Sequence, residues 1–276
     1  MSKNWLITGT STGLGRLMVQ QLLARGDRVA ATLRRPGALD DLQSQYGEQL
    51  QVLVLDVTDV EQVKTVVAQA FQRLGRIDVA VSNAGYGLFG AGEEISDAQI
   101  DRQIATNLTG SIHFIRALLP RLRQQGGGRI VQISSEGGQI AYPNFSLYHA
   151  TKWGIEGFVQ SVSQEVAPFG IDFIIAEPGP TATNFGSALD VAKPMDCYDS
   201  TPAGDVRRAI AGGSFVIRGD AGKTTDAIIA AADSTHPPLR LALGSTAYDS
   251  IARGLAERLR TLEANKAVTL SVDIEQ

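Results

Sequence analysis

The segment NWLITGTSTGLGRLMVQQLLARG, Asn4 to Gly26, decides how this chain folds. NWLIT is a short apolar run, and Leu14, Leu17, Met18, Leu22 and Leu23 then recur at helical spacing. Between them TGTSTGLG, Thr8 to Gly15, sets glycines at positions 9, 13 and 15. The order is therefore strand, glycine-rich turn, helix. The spacing differs from G-x-G-x-x-G, but the physical demands are alike: a tight turn, close backbone approach to a pyrophosphate, and a helix N-terminus facing negative charge. Gly9, Ser11, Thr12, Gly13, Leu14 and Gly15 are candidate cofactor-binding residues on that ground.

Working outward, the same alternation continues. RVAATL, QVLVLDV, IDVAVSNAG, RIVQIS and IDFIIAEP read as strands, separated by helical patterns in VEQVKTVVAQAFQRLG, in DAQIDRQIATNLTGSIHFIRALLPRL and around Tyr148. Short apolar strands alternating with amphipathic helices indicate parallel strands joined by helical crossovers. The expected fold class is α/β: a doubly wound parallel sheet of about seven strands with helices on both faces, the last strand being LRLAL after Pro237-Pro238. Ligands bind beyond the carboxyl ends of such strands, where Thr8, Asn83, Ser134, Ser135 and Glu177 fall. No linker divides the chain, so residues 1–276 are expected to form one domain, with an insertion of short helices at about 184–220.

Composition narrows the function classes. The chain is 43% hydrophobic and 20% charged, with a net charge of −4, which gives no electrostatic footprint for nucleic acid. A single cysteine, Cys197, excludes an internal disulfide. The N-terminus lacks the apolar core of a signal peptide and no window offers about eighteen apolar residues for a membrane span, so a cytoplasmic protein is expected. No metal site is expected.

The second strand ends in ATLRRP. In dinucleotide folds an acidic residue near this point holds the ribose 2′-hydroxyl of NAD, whereas arginine accommodates the 2′-phosphate of NADP. Thr32 and Leu33 stand at the acidic positions and Arg34 and Arg35 follow, so NADP(H) is expected over NAD(H), with Arg34 as the anion contact.

Further along, SLYHATKWG, Ser146 to Gly154, puts Tyr148 and Lys152 four residues apart on one helix face. A nearby ammonium favours the phenolate and makes the phenol a usable acid or base. Taken with TGTSTGLG, Asp56-Val57, NAG at Asn83-Ala84-Gly85, Asn107, Ser135 and Pro178-Gly179, this order of signals resembles the short-chain dehydrogenase/reductase family over roughly residues 3 to 184. Ser135 and Tyr148 stand 13 residues apart, the separation that family shows, which selects Ser135 over its neighbour Ser134.

The resemblance implies a Rossmann-type fold and an oxidoreductase interconverting a ketone or aldehyde and an alcohol by hydride transfer. It implies that Tyr148 is the general acid or base, that Lys152 lowers its pKa and bonds the nicotinamide ribose, that Ser135 holds the substrate oxygen, and that Asn107 supports a water linking Lys152 to solvent. A phenol moved from about 10 to about 7 corresponds to roughly 4 kcal/mol. Asp56 and Val57 would contact adenine, Asn83 would fix a neighbouring strand, Thr183 would hold the carboxamide of nicotinamide, and Ala84, Gly85, Pro178, Gly179 and Thr181 would also bind the cofactor. Thr12 stands where the family has a basic residue, leaving Ser11, Arg16 and Arg34 to meet a 2′-phosphate. His149 is expected to pack or face outward.

Substrate choice lies outside these motifs. Tyr86, Phe89, Tyr142, Phe145 and Phe185, with Leu88, Met195, Tyr198 and Phe215, are candidates for an apolar pocket. TLRRP, EPG and PPLRLALGSTAYDSIARGL resemble the branch near 17β-hydroxysteroid and retinol dehydrogenases, which points to a bulky hydrophobic substrate. The alternative is a non-catalytic NADP-binding sensor or scaffold, against which an intact Ser, Tyr and Lys set argues. A nucleotide-sugar lyase or epimerase fits the glycine spacing poorly. The family commonly forms homodimers or homotetramers through the helices at about 97–123 and 146–167.

Overall fold

The computed structural model describes residues 2–214 and 216–274; Phe215 lies outside the described residues. The elements run β1 (Asn4–Ile7), α1 (Gly13–Ala24), β2 (Arg28–Leu33), α2 (Asp40–Tyr46), β3 (Leu50–Val54), α3 (Val60–Leu74), β4 (Val79–Ser82) and β5 (Leu88–Phe89). They continue with α4 (Asp97–Ile104), α5 (Gly110–Gln124), β6 (Gly128–Ile133), α6 (Ser146–Val166), β7 (Ile171–Pro178), β8 (Asp190–Val191) and α7 (Pro202–Ala211). The last four are α8 (Ala221–Asp233), β9 (Arg240–Leu243), α9 (Ser245–Ala264) and α10 (Lys266–Leu270).

Seven strands form one parallel sheet in the order β3-β2-β1-β4-β6-β7-β9. The central strands are mostly apolar because helices cover both faces. Trp5, Leu6 and Ile7 of β1 are fully buried, Leu6 facing Val66, Phe114 and Ile155 on one side, Trp5 and Ile7 facing Met18, Leu22 and Ile228 on the other. Chain order reverses at β1, which pairs with β2 on one edge and β4 on the other. The crevice beyond their carboxyl ends is where such a sheet receives a ligand.

Two features depart from the sequence pattern. The helix expected to run unbroken through about 97–123 is interrupted by a π-helical turn, Ala105–Thr109, between α4 and α5. The other is a parallel ribbon in which Leu88 and Phe89 pair with Asp190 and Val191. Two-residue strands carry no alternation to detect, yet this pairing ties the segment after β7 to the loop after β4.

Candidate active site

The glycine turn is built by steric necessity. Gly9 has φ of +70°, and a Cβ there would lie 2.7 Å from Ala84 Cα. A Cβ on Gly15 would overlap the Gly9 carbonyl oxygen and lie 2.6 Å from Asn83 Nδ2. Gly13 needs its glycine for conformation, at φ +59°, with Thr183 Cβ the nearest atom to a Cβ at 3.9 Å. Thr12 is the N-cap of α1 but makes no side-chain cap, and the first turn carries no acidic residue. The N–H groups of that turn are thus open to an anion, and a dinucleotide pyrophosphate fits this cradle.

The crevice walls are tied together by Asn83, whose Nδ2 donates to the Thr8 and Gly9 carbonyls, both at 2.9 Å, while Thr8 Oγ1 accepts from the Asn83 and Ala84 amides. Asp56 accepts from the Thr58 amide at 2.9 Å, and that bond, with Arg34 nearby, holds its carboxyl below the usual range. Val57 is buried beside it. Arg34 and Arg35 are exposed and make no hydrogen bond or ion pair among the described residues. Arg16 is engaged, bonding the Ala38 carbonyl and Asp41.

Beyond the β6 end, Ser135 caps a short turn, its Oγ accepting from the Gly137 amide at 3.1 Å. Facing it, α6 carries Tyr148 and Lys152, both buried, at 9% and 8% exposure. Lys152 Nζ donates to the Ile133 carbonyl at 2.9 Å and stands 5.5 Å from the centre of the Tyr148 ring. Burial pushes the Tyr148 phenol up to about 12 against a hydrogen bond from Ser135, and the charges of Glu136 and Glu156 push the same way as burial. Burial also brings the Lys152 ammonium down to about 8, opposed by Glu156. The expected lowering of the phenol is therefore reversed in the protein alone, because burial, together with the charges of Glu136 and Glu156, pushes it up.

His149, next to the tyrosine, spans the loop above it. Its Nδ1 lies 2.9 Å from the Gly137 carbonyl and its Nε2 accepts from the Tyr142 amide at 3.1 Å, which fixes the neutral tautomer with the proton on Nδ1. Burial lowers its pKa further. Asn107 sits in the π turn, its Nδ2 donating to the Tyr86 carbonyl at 2.8 Å and its Oδ1 accepting from the Tyr86 amide at 3.1 Å. Gly85 is close against it, a Cβ there falling 3.2 Å from Asn107 Oδ1.

Three of the aromatic candidates gather at the phenol. Phe185 lies 5.6 Å and Phe145 6.3 Å from the Tyr148 ring, and Phe89 stacks edge-on against Phe145 at 5.2 Å. Phe185 also packs over Gly87, where a Cβ would fall 2.8 Å from its Cζ. The other two diverge. Tyr142 turns its hydroxyl to Glu136 and Ser250 of α9, and Tyr86 turns its phenol toward Arg102 and Asp190 at the rim. Met195 and Tyr198 are held outward, at Glu94 and Glu93.

The chain after β7 closes the site. Gly179 bonds the Leu243 carbonyl, Thr181 bridges to Gly219, and Thr183 Oγ1 accepts from the Phe185 amide at 3.2 Å opposite Gly13. A polar group also lies here in which the sequence singled out Glu177 alone: buried Glu156 and Glu177, with the part-buried Gln139 and Arg240. The i, i+4 relation of Glu156 to Lys152 was the signal available in the sequence.

Residues 3–193 match the short chain dehydrogenase family model. This chain belongs to the short-chain dehydrogenase family. It is 38% identical over 253 residues to "Oxidoreductase BOA17" of Botryotinia fuckeliana, covering 90% of this chain and 91% of that protein. A short-chain dehydrogenase from Streptomyces avermitilis superimposes with a TM-score of 0.92 at 38% identity, over 99% of this chain and 100% of that one. The structure of ElxO with NADP bound gives 0.73 at 26% identity, over 88% and 97%. This short-chain dehydrogenase is accordingly an enzyme that acts on CH–OH groups with a nicotinamide cofactor. None of its helices, among the described residues, is long and apolar enough to cross a membrane.

Proposed function

We propose that this short-chain dehydrogenase interconverts a hydrophobic ketone or aldehyde and its alcohol, with NADP(H) preferred over NAD(H). The observation that carries the reading is the buried Tyr148 phenol facing the Ser135 turn, with Lys152 Nζ 5.5 Å from its ring centre and Phe145 and Phe185 around it. The glycine turn would hold the pyrophosphate, Asp56 and Val57 the adenine side, and Thr181 and Thr183 the nicotinamide side. When bound, the nicotinamide supplies or accepts the hydride.

The protein's own groups handle the proton and the positioning. Ser135 holds the substrate oxygen near Tyr148, which delivers the proton in reduction and takes it in oxidation. Lys152 bonds the ribose and offsets negative charge on the phenolate. Asn107, through Tyr86, fixes the loop that borders the site and would support a water linking Lys152 to solvent. Phe89, Phe145 and Phe185 form the apolar wall, which favours a bulky hydrophobic substrate. The exposed guanidinium of Arg34 supports the NADP preference because a 2′-phosphate would meet an uncommitted cation. The chain works as a single unit in the cytoplasm, with residues 184–220 closing the site, and assembles as a homodimer or homotetramer through α4–α6.

The test is oxidation of NADPH and of NADH against ketones and aldehydes of graded size, with the native protein and Tyr148→Phe in parallel. Turnover that rises with apolar bulk, prefers NADPH and is lost in the variant is the expected result. Equal turnover in the variant would overturn the assignment of Tyr148, and a preference for NADH that of Arg34.

A further inference from the structure

Behind the Ser135 loop, α6 carries a carboxylate that the reaction as described above does not use. Glu156 lies one turn beyond Lys152 on the same face and is 2% exposed. Its Oε1 accepts from Ser134 Oγ at 2.5 Å, at the residue just before Ser135. Its Oε2 accepts from Arg240 of β9 at 2.5 Å, and the same guanidinium nitrogen donates to Glu177 of β7 at 2.6 Å. Glu156 also sets the shape of the loop: a Cβ on Gly138 would overlap its Oε1 and lie 2.9 Å from Ser134 Oγ. Glycine at 138 is thus required because the carboxylate fills the space beside it.

A buried carboxylate costs several kcal/mol unless paired, so a residue kept here needs partners that repay its desolvation. Those partners are the Ser134 hydroxyl, next to Ser135, and the Arg240 guanidinium of β9, which also reaches Glu177 of β7, so Glu156 ties the helix of Tyr148 and Lys152 to the loop of Ser135. We propose that Glu156 is a positioning residue for the hydride-transfer reaction, holding the Ser135 loop against α6 and supplying the negative charge that balances Lys152. The inference rests on the functional reading above.

The charges around this point can be named element by element. On α6 they are Tyr148, His149 and Lys152; on the turn after β6, Glu136; on β7, Glu177; on β9, Arg240. The π turn and α5 contribute the uncharged Asn107 and Ser111. Removing the negative charge of Glu156 lowers the pKa of each of its neighbours, and removing the positive charge of Arg240 raises them. Lys152 and Tyr148 must then move together, in a direction set only by the sign of the charge removed.

The experiment compares the native enzyme, Glu156→Gln and Arg240→Gln with NADP+ bound. One readout is kcat/KM for oxidation of cyclohexanol against pH. The other is the near-ultraviolet phenolate absorbance of each protein minus that of its Tyr148→Phe counterpart, which needs no turnover. Glutamine keeps the volume and the bond to Ser134 while removing the charge. The expected result is that Glu156→Gln shifts the Tyr148 titration and both limbs of the rate profile to lower pH by about 1 unit, and that Arg240→Gln shifts them upward. A fall in kcat with unmoved limbs and an unmoved titration would show packing alone and overturn the inference. Shifts of the same sign in both variants would also overturn it. Should one variant not fold, the other's direction alone decides, acid for Glu156→Gln and alkaline for Arg240→Gln. If cyclohexanol is not oxidised, the functional reading fails for that alcohol, while the phenolate titration still decides the role of Glu156.

Discussion

The Lys152 ammonium donates to the Ile133 carbonyl at 2.9 Å while standing 5.5 Å from the centre of the Tyr148 ring. It is therefore anchored by the sheet, not by the phenol, and it is held charged in a place that disfavours charge. Its pKa falls from 10.5 to about 8, mainly through burial.

That strain gives a stability prediction with a definite sign. Between about 8 and 10.5 the unfolded chain holds the Lys152 proton and the folded chain has lost it, so stability rises with pH across this window. Below it the cost of the buried ammonium is fully present. Lys152→Met should therefore be more stable than the native protein at pH 7, by ~1–2 kcal/mol after subtracting the lost hydrogen bond, and inactive. Denaturant unfolding at several pH values checks it: the advantage should shrink as the pH climbs through 8. An advantage that grows instead would contradict the burial argument.

Gly15→Ala should abolish cofactor binding more completely than Gly13→Ala. At Gly15 the new methyl overlaps the Gly9 carbonyl, a backbone atom that cannot step aside, and overpacking of this kind costs ~1–3 kcal/mol or more. At Gly13 there is room, and only the positive φ resists, at a cost of ~1 kcal/mol. Titration of each variant with NADPH, followed by nucleotide fluorescence, separates the two.

Arg34→Glu should raise KM for NADPH by about 10- to 100-fold, equivalent to roughly 1.4–2.7 kcal/mol for losing a charge-assisted contact and gaining repulsion. KM for NADH should change little, because a free 2′-hydroxyl carries no charge to repel. Arg16→Gln is the contrasting variant. Its guanidinium is already bound to Ala38 and Asp41, so its loss should reduce thermal stability and leave the ratio of the two KM values nearly unchanged.

Asn107→Ala should loosen the loop at Tyr86 and reopen the π turn. It removes the two bonds to the Tyr86 backbone, each worth about 1 kcal/mol, and leaves the Tyr86 amide without its protein partner, while the Tyr86 carbonyl keeps its bond from Gln103. The expected outcome is faster amide exchange at Tyr86 and a lower kcat. Normal exchange with a lower kcat would assign Asn107 a role independent of this loop.

Much of this protein was legible in its sequence because it is local. The strand, turn and helix of Asn4 to Gly26 are set by apolar periodicity and three glycines, and the facing of Tyr148 and Lys152 is set by helix pitch alone. The parallel sheet followed from alternating short apolar runs and amphipathic helices, and the family from the order of those motifs. The π turn was not legible: Asn107 is pulled inward by a bond to Tyr86, 21 residues away, and no periodicity records that pull. Nor was the divergence of Tyr142, which looks like the other pocket aromatics in sequence but turns to Ser250 on a helix formed 108 residues later.

The pKa of the phenol is the sharpest case. Sequence placed an ammonium one turn from Tyr148, and proximity predicts a lowered pKa. Only tertiary packing decides how much water each group loses, and here that loss raises the phenol to about 12 and brings Glu136 and Glu156 within electrostatic reach. Which residues can meet is fixed by local geometry. What their meeting does to a charge depends on the dielectric around them, and that is assembled from parts of the chain far apart in sequence.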